Sequence, residues 1–224
     1  MSNEARGLNR LGGIAFIASG LLFFLISLLE RVTGPPPSDG AAIMAWVEAG
    51  HGALAWSVEL LFFAAMLLVP AVIALRRSLA GGSPALAAAG CGSIGVLIPV
   101  LLVLDVVQGR LVFPVHGLGL TSPQVAELIV ALYAGGMHAA MVVMGMATAL
   151  LSVAMWRGAS GRGVAALGFA TAAFDLVGSY PWAISPAVLL ASQVLFAGWF
   201  VAVGWRLART PGWTSPGQPA DTAR

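Results

Sequence analysis

Residues 11–29 read LGGIAFIASGLLFFLISLL, 19 positions without a charged group and with two serines as the only polar side chains. A helix of that length rises about 28 Å, close to the roughly 30 Å hydrocarbon core of a bilayer. The run is longer than the apolar region of a secretory signal, and no small-x-small cleavage site follows it. It therefore reads as a retained transmembrane helix and sets the reading of the rest of the chain.

Five further stretches have the same character, so the spans fall at roughly 11–31, 54–75, 84–107, 127–156, 163–181 and 186–206. They are continuous apolar runs rather than short alternating segments, which favours helices over a β-barrel. The expected fold is an all-α, polytopic bundle of six transmembrane helices. Composition agrees. Of 224 residues only 9% are charged and 59% are hydrophobic, with a mean hydropathy of +0.92. A soluble domain carries about 25% charged residues. This deficit excludes an ordinary soluble domain, a disordered chain and a nucleic-acid binder.

All 11 basic residues are arginines, which excludes Schiff-base and P-loop lysine chemistry. The lone Cys91 excludes an intrachain disulfide and a cysteine zinc site. If the N-terminus is cytoplasmic, Arg6, Arg10, Arg76, Arg77, Arg157, Arg162, Arg206, Arg209 and Arg224 lie inside, and only Arg31 and Arg110 lie outside. The positive-inside rule then places both termini in the cytoplasm and the protein in the plasma membrane. Trp56 and Trp182 fall at outer interfaces, Trp156 and Trp205 at inner ones.

Two segments lie outside the spans. In the first outer loop, Pro35-Pro36-Pro37 precedes Asp39, which is expected to cap a short interfacial helix ending near Ala49. Residues 1–209 form one domain, and the Pro-, Gly-, Ser- and Thr-rich stretch 210–224 reads as a disordered cytoplasmic tail.

Acids are distributed oppositely to arginines. Glu4 and Asp221 are inside. Glu30, Asp39, Glu48, Glu59, Asp105, Glu127 and Asp175 fall outside or in the outer half of the membrane. Within the spans, Glu59, Asp105, His138 and Asp175 are the candidate catalytic groups, because ionisable side chains at membrane depth are costly and usually face the bundle interior. With Gln193, five helices each send one polar group toward a shared layer, as a single outward-opening cavity would require. Glu59 shares a helical face with Phe62, Phe63 and Met66, and Asp175 with Thr171, Ala172 and Ser179. Each has a plainer reading: Glu59 as a helix–helix hydrogen bond, Asp105 as a partner of Arg110, and His138 as a histidine satisfied within the core.

No metal or cofactor is expected. The pair Glu48 and His51 has no third ligand nearby in sequence and no HExxH pattern accompanies it. Met137, Met141, Met144, Met146 and Met155 in the fourth span read as flexible packing rather than copper ligands. Gly90, Gly92 and Gly95 read as a packing face rather than a phosphate loop.

The layout resembles a group of bacterial, often actinobacterial, six-helix membrane proteins of unknown function. The shared features are the helical insert after the first span, the motifs Leu67-Leu68-Val69-Pro70-Ala71 and Ala74-Leu75-Arg76-Arg77, and Leu104-Asp105 near the end of the third span. This resemblance implies the fold and supplies no activity. In chemical type the chain is also similar to integral-membrane terpene cyclases, in which intramembrane carboxylic acids protonate an alkene or epoxide and aromatic walls shield the carbocation. Those enzymes have seven spans. The similarity implies Glu59, Asp105 and Asp175 as acids and Trp56, Phe62, Phe63, Tyr133, Phe174, Tyr180 and Trp182 as walls.

Three functions are open at this point. One is a membrane enzyme, such as an isoprenoid cyclase or isomerase, acting on a lipophilic substrate by acid–base chemistry. Another is a non-catalytic subunit or lipid-binding protein. The third is a proton-coupled transporter, against which stand the missing inverted repeat and the end of the polar groups near mid-membrane.

Overall fold

In a computed structural model of the chain, residues 3–157, 161–181 and 183–209 are described. They form six α-helices: α1 Asn3–Thr33, α2 Gly40–Leu79, α3 Pro84–Val112, α4 Pro123–Trp156, α5 Arg162–Gly178 and α6 Pro186–Arg209. Five of them are long and apolar enough to cross a membrane; α5, with 17 residues, falls short of that length. Each helix packs antiparallel on its chain neighbours, and α1 also packs on α6, so the six close into a ring. Both described ends of the chain lie at one end of the bundle, together with Arg76, Arg77, Arg157 and Arg162. Arg31 and Arg110 lie at the opposite end.

Small residues set the helix spacing, as expected where lipid provides no hydrophobic force between helices. On α1 the series Gly13, Phe16, Gly20, Phe23, Ser27, Glu30 follows a 3-4 spacing, which is a coiled-coil-like seam. It faces α6. A side chain at Gly13 would collide with the backbone of Gly204, and one at Gly20 with the ring of Phe200. Phe16 and Phe200 meet edge to face at 5.2 Å, and Phe23 meets Phe196 at 5.5 Å. On α3 the buried series Ile94, Leu97, Leu101, Leu104, Gln108, Leu111 has the same spacing. Gly90 lets α3 approach Leu151 of α4, whereas Gly92 and Gly95 face open space, so the expected three-glycine packing face reduces to Gly90. At the end carrying the termini, Arg209 lies 3.6 Å from the centre of the Trp205 ring, a cation–π contact one turn apart.

The short helix expected after the first span and the second apolar run are one helix, not two. The sequence Ala49-Gly50-His51-Gly52-Ala53 suggests a break, yet α2 runs unbroken for 40 residues. Tertiary contacts override the glycines. His51 bonds the carbonyl of Val112 at 3.1 Å, and Gly50 packs on Thr33. Asp39 does cap the helix, accepting from the Ala42 N–H at 2.9 Å. Glu127 of α4 reaches back to accept from the Gly40 N–H at 2.8 Å. At 1.5 Å per residue α2 is about 60 Å long, twice the hydrocarbon thickness. Its first turns join the end of α3 and the start of α4 in a second apolar cluster built on Ile43, Val47, Leu54, Val58, Leu111 and Val112.

Candidate functional site

The half of the ring nearer the termini holds most of the large, fully buried side chains. Phe16, Leu68, Leu75, Leu151, Trp199 and Phe200 are fully buried there. The other half holds a cavity of about 770 Å³, contributed to by all six helices. The volume lies in the range of about 300–1,000 Å³ usual for small-molecule sites, and apolar side chains dominate the wall.

The floor is set by α5 and α6. Asp175 sits 13 residues from the start of α5, so about 20 Å above the arginine-bearing end. It is 3% exposed. Its Oδ1 accepts from the Ser192 hydroxyl at 3.3 Å, and its Oδ2 is buried without a hydrogen-bond partner. Gly145 and Gly178 make this geometry possible: the Asp175 Cβ lies against the first, and the Ser192 hydroxyl against the second. Next to Ser192 on α6, Gln193 also lines the cavity and leaves its Oε1 unpartnered.

The upper wall belongs to α1, α3 and α4. The Tyr133 hydroxyl donates to Glu30 Oε1 at 3.3 Å. Gln108, 4% exposed, lines the cavity with Oε1 unpartnered. Glu30 lies seven residues beyond Phe23 on α1, about 10 Å above the level at which Phe23 meets Phe196. The cavity continues past Arg31 and Pro35 to the end of the bundle opposite the termini.

Between the two levels, α5 ends early, and residues 179–181 and 183–185 follow it without helical structure. Non-helical backbone at membrane depth is tolerated where it lines a cavity or is bonded by the protein. His138 does the bonding. Its Nδ1 meets the Ser179 carbonyl at 2.6 Å. A carbonyl can only accept, so Nδ1 carries the proton and the ring caps the end of α5. Tyr180 packs edge-on to His138 with ring centres 4.7 Å apart.

The structure thus brings Asp175, His138, Tyr133 and Gln193 to one cavity. It does not bring Glu59 there. Glu59 is exposed on the outside of α2 with Trp56, Phe62 and Phe63, and Phe62 and Phe63 meet edge to face at 5.4 Å. The shared face of Glu59, Phe62, Phe63 and Met66 is real but points outward. The face of α2 that turns inward carries Ser57, Leu61, Ala64, Ala65 and Leu68. Lipid imposes no penalty on an outward apolar face, so aromatic content does not mark the interior; the small alanines do.

Asp105 is half-buried outside the cavity, within electrostatic reach of Glu59 and Tyr133 and one step off the α3 seam. Its expected partner Arg110 donates instead to the carbonyls of Phe113 and Leu118. Phe174 is half-buried but not on the cavity wall, and Tyr180 reaches the cavity only through His138. Trp182 and residues 210–224 lie outside the described residues.

Glu30, Gln108 and Ser192 belong to the site and were not singled out by sequence. The 3-4 seams of α1 and α3 contain the signal, because Glu30 and Gln108 are the polar members near the ends of otherwise apolar or small stripes. Among the described residues, no three His, Cys, Asp or Glu side chains converge as metal ligands would. Met137, Met141 and Met144 line the cavity, Met155 is packed in the half nearer the termini and Met146 faces outward.

No family model matches the chain, and no curated protein or solved structure is significantly similar to it.

Proposed function

We propose that the protein is an integral membrane enzyme that binds a lipophilic, isoprenoid-like molecule in this cavity and isomerises or cyclises it by acid–base chemistry. One observation carries the reading: a buried carboxyl at the floor of a large apolar cavity, with one oxygen held by Ser192 and the other left without a partner. Because Ser192 donates to Oδ1, a carboxyl proton resides on Oδ2, and Asp175 is the proton donor. Transfer to an alkene or epoxide carbon or oxygen leaves a carbocation, which the faces of Phe23, Phe196 and Tyr133 stabilise. Isomerisation is balanced without a co-reactant: the proton gained at one atom is matched by one lost from a neighbouring carbon to Asp175 or to Glu30.

In this proposal all six helices cross the plasma membrane, α5 together with the non-helical residues that follow it. The arginine bias puts both termini in the cytoplasm, so the cavity opens to the outside. The resemblances to the actinobacterial six-helix proteins and, in chemical type, to membrane terpene cyclases accord with this reading. The large side chains fully buried beneath Asp175, Trp199 and Phe200 among them, argue against a carrier path.

Membranes containing the protein, incubated with squalene, oxidosqualene or geranylgeraniol, are expected to yield a product of unchanged mass and altered chromatographic retention. Asp175→Asn is expected to lower its formation by about 10²- to 10⁴-fold, the usual contribution of a positioned acid. Undiminished product in that variant would refute the assignment. A second reading, binding without turnover, draws support from Tyr133 and His138 already being engaged with Glu30 and Ser179. It predicts bound lipid and no product from either protein.

A further inference from the structure

Among the described residues, neither Arg31 nor Arg110, the two arginines at the end of the bundle opposite the termini, meets a carboxylate. Arg110 is held in place without being neutralised. Its Nη1 donates to the Phe113 carbonyl at 3.1 Å and its Nη2 to the Leu118 carbonyl at 2.9 Å. The chain between those carbonyls folds back on itself, closed by the Leu118 N–H on the Val115 carbonyl at 2.9 Å. A guanidinium has five N–H donors, so three remain for another acceptor. A side chain fixed beforehand also loses little freedom when it binds.

The guanidinium borders a second cavity, of about 330 Å³, between the end of α3 and the start of α4. That is the space of about ten water molecules. One side is polar, Arg110 with Thr121 and Ser122, and the other is apolar, Leu120, Val125 and Ile129. From there the exposed stripe Val125, Leu128, Leu132 runs down α4 at helical spacing. Arg110 lies about 39 Å along α3 from Pro84. A bilayer with its head groups is about 40–45 Å thick, so a helix that starts at one head-group layer brings Arg110 to the other.

We infer that this pocket seats one phospholipid of that leaflet, its phosphodiester on Arg110 and Thr121 and an acyl chain along Val125, Leu128 and Leu132. The bond from a guanidinium to a phosphate is charge-assisted and strong, and the chain adds apolar burial. Asp105 lies five residues before Arg110 on α3, and Glu127 stands on α4, turned to the Gly40 N–H. These acids disfavour a second negative charge, so a singly charged phosphodiester suits the pocket better than a phosphate monoester. The inference rests on α3 crossing the bilayer and on nothing that the central cavity binds or converts.

Native mass spectrometry of the purified full-length protein, released from detergent, reads the bound lipid. Dioleoylphosphatidylglycerol is compared with dioleoylglycerol, which lacks the phosphate, and with glycerophosphoglycerol, which lacks the chains. The phospholipid is expected to bind at least about tenfold more tightly than either, because each comparator gives up one of the two contacts. Arg110→Gln and Val125→Asp are each expected to abolish that preference, and Arg31→Gln to keep it. Val125 is exposed and lies in the first turn of α4, where an acid is favourable, so its variant keeps the fold even if Arg110→Gln does not. Equal binding by either comparator would overturn the inference. So would a preference that survives both Arg110→Gln and Val125→Asp, or one that is lost in Arg31→Gln. Binding is read without turnover, so an inactive central cavity leaves the result standing.

Discussion

Asp175→Leu is expected to melt at a higher temperature than the native protein while forming no product. Asp175 Oδ2 is buried and unpartnered, and leaving such a group unsatisfied costs about 1–3 kcal/mol. Leucine removes that cost, and the cavity beside it gives the bulkier methyl groups room. Ser192 loses its acceptor but, lying inside α6, can turn to a carbonyl of the preceding turn. The expected gain is about 1 kcal/mol, or roughly 2–4 °C for a chain of this size. A gain in stability coupled to a loss of activity marks a group retained for chemistry. A large fall in melting temperature would show instead that Asp175 holds the helices together.

Gly204→Val is expected to be among the most destabilising single substitutions in the protein. A Cβ at Gly204 would sit 2.5 Å from the Gly13 carbonyl oxygen and 3.0 Å from the Ile17 backbone nitrogen. Backbone atoms cannot rotate away, so α1 and α6 must separate. That contact closes the ring between the first and last helices, and the aromatic stack of Phe16, Phe23, Phe196 and Phe200 depends on the same approach. Overpacking typically costs about 1–3 kcal/mol, and a fixed backbone obstacle places this case at the upper end. Thermal unfolding in detergent measures it. By contrast Gly198→Ala, which meets nothing within 4 Å, is expected to shift melting little.

The positions of the six apolar helices were legible because apolar runs of about 20 residues announce themselves. The unity of α2 was not, since Gly50 and Gly52 argue locally for a break and the restraints on them come from Thr33 and Val112, distant in sequence. Asp175 was legible as an isolated acid within a span, and it does reach the cavity. Glu59 looked the same by that criterion and faces outward. What separates them is the company each keeps. Asp175 follows Ala165, Gly168 and Ala172 along a seam of small residues, whereas Glu59 stands among Trp56, Phe62 and Phe63. Glu30 was read only as one of seven acids toward the outer side. Its membership in the Gly13–Phe16–Gly20–Phe23–Ser27 stripe places it inside. In a bilayer, hydropathy says which segments enter the membrane, and the positions of small residues say which way each helix turns.

The central claim is that the cavity above Asp175, and not the outer surface of the bundle, takes a lipophilic molecule. Photocrosslinking tests it most directly. The full-length protein in lipid nanodiscs would be irradiated with a diazirine-bearing analogue of geranylgeraniol, and the labelled residues mapped by peptide mass spectrometry. Labels are predicted at Met137, Met141 and Phe196 on the cavity wall, and an excess of unlabelled geranylgeraniol should compete them away. Labels confined to Phe62, Phe63 and Trp56, insensitive to competitor, would contradict the account.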